Sequence, residues 1–236
     1  QDAWAAKLRL ADDPLLAHFR DRALALAREK SANEADNLRF TEIEVAGIVT
    51  RFEAPPKSRE DMSALLSDRL DDIEDLLLAD ASPRELWARI DQEHLLRREV
   101  ARELTRMSNG LYLVSQESVT ADEKETDIRL ASTAAGQEGV IELKRAEGFS
   151  GRVLFETIFG QLVQKYLAPR NRRAGLLVIS LATKGHFEHP ESGERLTPEE
   201  FLAVLKVEAK RIEQHLGHEI SIDVRLLDLR PRLRTS

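Results

Sequence analysis

The sequence predicts an α/β fold with a mixed sheet, preceded by a mostly helical region, and three observations carry that expectation. Beyond Asn109-Gly110 the spacing of apolar residues changes from the helical period to strict alternation. The run Ala174 to Leu181 (AGLLVISL) is apolar throughout and of strand length, as a strand covered on both faces requires. From Ser82 onward the periodic segments fall in the order helix, three strands, helix, strand, helix, strand.

Residues 1–81 read as a helical adaptor or cap, and residues 82–236 as the α/β domain. In the first region Leu15, Leu16, Phe19, Ala23 and Ala27 recur at helical spacing, as do Met62, Leu65, Leu66, Leu70, Ile73, Leu76 and Leu77. Pro55-Pro56 separates the two stripes. The second region opens with Ser82-Pro83-Arg84-Glu85, a helix-start pattern in which a serine cap, a proline and a glutamate suit the exposed amides. That helix is expected to run to Met107, burying Leu96, Val100, Leu104 and Met107. Leu111 to Val114, Thr126 to Ala131 and Gly139 to Lys144 alternate as strands. A largely buried helix follows from about Arg152 to Leu167, then the strand Ala174 to Leu181. A helix capped by Thr197-Pro198-Glu199-Glu200 runs to His215 and stops at Gly217, and Ile220 to Leu229 alternates as the last strand.

At 236 residues, with 42% hydrophobic and 33% charged residues, the chain has the balance of a globular protein and not of a collagen-like or wholly disordered one. The absence of cysteine excludes a disulfide scaffold, a thiolate zinc site and a cysteine nucleophile, and fits a reducing, cytoplasmic setting. No apolar run approaches the roughly 20 residues of a membrane span, so no membrane partner is expected. A start at Gln1 instead of methionine suggests a piece of a longer polypeptide. The formal charge of −7 argues against coating nucleic acid by bulk charge, but it is unevenly spread. Arg59 to Asp80 carries eight acids against two bases, whereas Val140 to Lys184 carries eight bases against three acids.

The chemistry-bearing residues lie at the start of that basic stretch. Along a strand alternate side chains share a face, so Glu142 and Lys144 project together while Ile141 and Leu143 enter the core. The fifteen residues from Asp127 to Glu142 leave room for a turn that brings Asp127 beside Glu142. Two neighbouring carboxylates repel unless a cation sits between them, and Mg²⁺, which prefers oxygen donors, suits the position. The plainer alternative for Glu142 and Lys144 is a same-face ion pair on a half-exposed strand.

Asp127 on the second strand with Glu142-Leu143-Lys144 on the third resembles the signature of the PD-(D/E)XK, or restriction-endonuclease-like, nuclease superfamily. Its core is a helix, three antiparallel strands, a helix and a further strand (αβββαβ). The likeness covers roughly Ser82 to Leu181, with Thr126 where the pattern often has proline. It implies Mg²⁺, or alternatively Mn²⁺, held by Asp127, Glu142 and the carbonyl of Leu143. Lys144 would then orient the attacking water or stabilise charge on the phosphate. It also implies a glutamate on the helix before the first strand, for which Glu99 and Glu103 are candidates, with Glu99 favoured. Gln161 is similar to a second-helix glutamine that positions substrate or Lys144, although its spacing to Tyr166 is one residue too wide.

The implied activity is metal-dependent hydrolysis of DNA phosphodiesters by an endonuclease. The domain would be an effector of a larger restriction, repair or phage-defence protein, or a homo-oligomer. Arg145, Arg152, Lys165, Arg170, Arg172 and Arg173 would neutralise flanking phosphates without reading bases. RNA is the alternative substrate, and a catalytically inactive binding or assembly module is the alternative function. His186 with His189, and His215 with His218, lack a metalloprotease pattern and read as loop or helix-end residues.

Overall fold

The structure is a computed structural model that describes residues 54–116 and 128–231. Helix α1 (Arg59–Leu78) begins at a reciprocal cap: the Ser58 hydroxyl accepts from the Asp61 amide, and the Asp61 carboxylate accepts from the Ser58 amide. Its stripe Met62, Leu65, Leu66, Leu70, Ile73 and Leu77 is buried, as the sequence predicts. The expected single helix from Ser82 to Met107 is in fact two, α2 (Arg84–Ala88) and α3 (Glu93–Arg106). The amides of Arg89 and Ile90 bond three residues back, to Leu86 and Trp87, which tightens the last turn of α2 and ends it. The restart puts Glu93 in the first turn of α3, a position the unbroken reading concealed.

Asn109 and Gly110 take positive φ values of 45° and 77°, the left-handed turn for which Asn-Gly is suited, and lead into the sheet. The strands are β1 (Tyr112–Gln116), β2 (Ile128–Ser132), β3 (Glu138–Arg145), β4 (Ala174–Leu181), the short pair β5 (Phe187–Glu188) and β6 (Arg195–Leu196), and β7 (Ser221–Asp228). The main sheet is ordered β1-β2-β3-β4-β7. The first three strands are antiparallel, and β4 and β7 run parallel to β3. The β5–β6 pair, too short for alternation to reveal, stacks Phe187 on Phe201 with ring centroids 4.3 Å apart.

Helix α4 (Gly151–Thr157) continues as a π-helix over Ile158–Tyr166, and α5 (Pro198–His215) starts at the predicted Thr197–Glu200 cap. The sheet separates two apolar cores. One joins α1, α2 and α3 to Ile128, Leu130, Ile141, Leu143, Leu176 and Val178. The other joins α4, its π continuation and α5 to Val140, Leu177, Ile179, Ile222 and Val224. This is an α/β fold with helices on both faces of a mixed sheet. The compact unit begins at Ala54, so α1, grouped by sequence with residues 1–81, packs in the sheet's own core. Its approach is close: a methyl group on Gly139 would meet Leu66 and Met62 at 3.0 Å. Among the described residues no helix is long and apolar enough to cross a membrane.

Candidate active site

Strand β3 is interior, and its alternation places Ile141 and Leu143 in the core beneath α1 and α3. Glu142 and Lys144 therefore share the opposite face, in register with Leu177 and Ile179 of β4. On the other side, the described pairing with β2 reaches Ile128 opposite Ile141. Asp127, the sequence-predicted metal ligand, lies with Thr126 outside the described residues and directly precedes Ile128 in the chain.

Glu142 and Lys144 are buried far more deeply than a half-exposed strand would leave them, at 1% and 2% exposure. Lys144 Nζ lies 2.9 Å from Glu142 Oε1 and 3.2 Å from Glu93 Oε1. The first contact is Coulombic but misaligned, so Glu142 Oε1 is buried without a hydrogen-bond partner among the described residues. Glu93 is better held. Its Oε1 accepts from Arg97 Nη2 at 2.9 Å, and its Oε2 accepts from the Arg145 amide at 3.3 Å. Among the described residues, Glu142, Lys144 and Arg97, all buried, and the half-buried Glu93 thus form a quartet of two carboxylates and two cations. The Phe149 ring lies 5.5 Å from Lys144 Nζ, within cation–π range.

Burial pushes the Glu142 carboxyl above its ordinary range, and the nearby Lys144 and Arg97 charges only partly oppose that rise. Glu147 shows the reverse balance. Burial again favours its neutral form, but the amides of Ala182, Thr183 and Lys184 donate to Glu147 Oε1 at 2.7, 2.9 and 3.3 Å and hold its carboxyl below the ordinary range. In return, Lys184 Nζ donates to the carbonyls of Ala146 and Phe149 at 2.9 and 2.5 Å. The turns after β3 and β4 are thereby clasped together. Desolvation lowers the Lys184 pKa.

A divalent cation needs hard oxygen donors, and Glu142 Oε1, which among the described residues has the Lys144 ion pair but no hydrogen bond, fits that need. Among the described residues, no group of three acids or histidines that could hold a metal is present. A full donor set would have to include a residue such as Asp127.

The helix glutamate that contacts Lys144 is Glu93. Glu99 lies six residues on, roughly 9 Å along the helix axis, and pairs with Arg102 at 2.9 Å. Glu103 pairs with Arg106. The start of α3, and not its middle, abuts the end of β3.

Gln161 is half-buried in the π-helical stretch. Because a π-helix repeats from i to i+5, Gln161 and Tyr166 stand one turn apart, and the extra residue in their spacing is absorbed. Tyr166 is core, as its apolar setting predicts, with its hydroxyl 2.6 Å from Lys165 Nζ.

The predicted phosphate-binding cations divide into engaged and open groups. Arg145 donates to the Asp91 carbonyl, Arg172 pairs with Glu138 at 2.7 Å, and Arg173 donates to the Leu167 carbonyl. Arg152 pairs with Glu156 on an exposed face, and Arg170 is exposed with no ion pair among the described residues. His186 bonds Arg195, and His189 accepts from the amides of Glu191 and Ser192, consistent with loop roles.

Sequence reading missed Glu93, Arg97, Glu147 and Lys184. The one available signal was an acid at a helix start, and it required knowing where α3 begins. No family model, curated protein or solved structure matches the chain significantly.

Proposed function

We propose that the chain is a metal-dependent endonuclease acting on DNA, built on a restriction-endonuclease-like core. The observation that carries this reading is the buried Glu142–Lys144 pair on one strand, whose carboxylate keeps an oxygen without a hydrogen-bond partner. That oxygen is met among the described residues only by the misaligned Lys144 ammonium at 2.9 Å, which leaves it suited to a metal ion. Three features support the reading. Three antiparallel strands are followed by a parallel fourth, a helix precedes β1 on one face, and a helix follows β3 on the other. The π-helical turn also brings Gln161 and Tyr166 into the relation the resemblance implies.

In this reading Glu142, the Leu143 carbonyl and Asp127 hold the cation. When bound, Mg²⁺ or Mn²⁺ supplies Lewis acidity toward a phosphoryl oxygen and makes a bound water more acidic. Lys144, kept in a dry setting by Phe149 and the two acids, offers its ammonium group to charge developing on the phosphate. Gln161 offers a neutral amide donor and acceptor. Arg152, Lys165 and Arg170 meet flanking phosphates by charge, without base recognition. A role in restriction, repair or phage defence accords with such an activity.

One observation favours a second reading. Among the described residues the quartet holds two carboxylates and two cations, a balance that an inactive nuclease-like binding or assembly module would tolerate. Plasmid DNA incubated with the full chain and Mg²⁺ separates the two. Nicking that falls by about 100-fold or more in Asp127→Ala and in Lys144→Ala supports the enzyme. Equal cleavage by all three proteins removes the site, and cleavage of RNA oligomers alone moves the substrate to RNA.

A further inference from the structure

We propose that the outer surface of α1 and α3 is a self-complementary docking face for a second copy of this chain. The two copies pair about a two-fold axis that runs along the helices. The acidic stripe of α1 on each copy then meets the basic stripe of α3 on the other. The pairing is independent of the metal site.

Both helices pack on the same face of the sheet, α1 over β4 and β7 and α3 over β1. They are neighbours, since Arg69 Nη1 on α1 lies 3.4 Å from the Met107 carbonyl at the end of α3. They also run in opposite directions. Helix α1 starts over the first residues of β3, where Met62 and Leu66 crowd Gly139, and its Leu77 lines one cavity with Leu229, beyond the end of β7. Helix α3 starts at the end of β3, where Glu93 meets Lys144. It leads into a turn whose Gly110 carbonyl accepts from Thr133, back beside the start of β3.

On α1, Asp68, Asp71, Asp72 and Asp75 are exposed, opposite the buried stripe, and Arg69 between them is buried. Asp71 pairs with Arg225 and Asp72 with Arg69, whereas Asp68 and Asp75 have no ion pair among the described residues. On α3, Arg98, Arg102 and Arg106 are exposed at successive turns, and Arg98 has no ion pair among the described residues. Arg102 and Arg106 pair with Glu99 and Glu103, but those acids are 26% and 13% exposed against 64% and 70% for the arginines, so the outward surface is positive. Neither stripe helps its own helix. Like charges four residues apart repel, and Asp75 lies in a last turn that holds no base, where the helix dipole disfavours an acid.

A two-fold axis along the antiparallel helices lays α1 of one copy antiparallel on α3 of the other, and the spacings then match. Leu78, Asp75 and Asp71 descend α1 by three and then four residues, while Leu95, Arg98 and Arg102 ascend α3 by three and then four. The exposed Leu78 and Leu95 meet at one end, followed by Asp75 with Arg98 and by Asp71 and Asp72 with Arg102. Asp68 reaches Arg106 at the other end, about 15 Å away. A nucleic acid laid on α3 would set its phosphates beside the acids of α1. A second copy presents both signs in the required order, and the contact closes on itself.

Sedimentation of the full chain over a concentration series tests this. The parent should show a monomer–dimer equilibrium whose Kd rises by about tenfold or more between about 50 and about 500 mM salt. Arg98→Glu/Arg102→Glu/Arg106→Glu makes both stripes acidic, and Asp68→Lys/Asp71→Lys/Asp75→Lys makes both basic. Each alone should weaken self-association by about tenfold or more. Mixed one to one, the two should associate within about threefold of the parent Kd, because each then meets the opposite sign at both contacts.

A parent that stays monomeric at low salt overturns the proposal, as does a dimer indifferent to salt or to both variants. Weakening by each variant without recovery in the mixture overturns the pairing, and growth beyond dimers overturns the two-fold arrangement. Unchanged self-association in the arginine variant, with loss of DNA duplex binding in EDTA, assigns α3 to nucleic acid and overturns it too. Thermal unfolding checks that each variant folds. If a triple variant does not, Arg98→Glu and Asp75→Lys carry the same test, each expected to weaken the dimer by about threefold, and no change in either overturns the proposal.

Discussion

Glu142 on β3 and Glu147 in the turn that follows it stand five residues apart, and their carboxyl groups shift in opposite directions. Both lose solvent. Glu147 is met by three successive backbone amides, whose fixed dipoles outweigh the cost of burial. Glu142 is met by the side-chain charge of Lys144, misaligned and on a flexible stem, and burial prevails. A carboxylate held by backbone is committed to the fold. One held by a movable side chain remains exchangeable, and that difference separates a clasp from a site.

Removing one member of the buried pair should be the most damaging change. Lys144→Met leaves Glu142 without its nearest counter-charge and should cost about 3–5 kcal/mol at neutral pH without metal, read by urea denaturation. The loss should shrink toward pH 5, because a carboxyl already displaced upward then takes a proton. The double variant Glu142→Leu/Lys144→Met removes both charges and should recover most of the loss. A double variant as unstable as the single one would show that the pair is part of the scaffold, and the contrast with Glu147 would fail.

The clasp should respond less strongly and with opposite pH dependence. Glu147→Ala orphans amides in a partly solvated turn and should cost about 1–3 kcal/mol while leaving Mn²⁺ affinity unchanged. Glu147 has a lowered pKa, so the native state binds its proton less readily than the unfolded chain does. Its stabilisation is present above the ordinary value of 4.5 and is lost as pH falls through the lowered value. Glu142 has a raised pKa, so its contribution is present below 4.5 and is lost as pH rises through the raised value. Urea midpoints against pH should therefore flatten on the acid side for Glu147→Gln and on the neutral side for Glu142→Gln. Parallel profiles would show that the two acids do not differ as described.

The same contrast explains what could be read from sequence. Period and capping residues locate α1, α5 and the strands, because those elements obey local rules that Met62 to Leu77 or Thr197 to Glu200 display directly. The pairing of Glu142 with Lys144 is also local, since alternation alone puts them on one face. Glu93 and Arg97 were hidden because the break between α2 and α3 depends on a three-residue hydrogen-bond pattern that Arg89 and Ile90 do not advertise. The partners of Glu147 were hidden because backbone amides carry no sequence signal. The π-helix, which sets Gln161 and Tyr166 one turn apart, was hidden for a related reason.

The smallest effects on stability belong to the exposed cations, where charge is solvated and not buried. Arg152→Ala breaks only an exposed pair with Glu156, and Arg170→Ala breaks none among the described residues; each should change stability by less than about 0.5 kcal/mol. If these residues contact phosphates, each substitution should lower the slope of log K against log salt by about one, measured with a DNA duplex in EDTA so that binding is read without cleavage. Arg172→Ala should behave differently. Its side chain is only 14% exposed and is tied to Glu138, so the substitution should cost more stability and move the salt slope less. An equal slope change in all three variants would mean that engagement by Glu138 does not withhold a charge from nucleic acid, and the line between held and available groups would then apply to the buried acids alone.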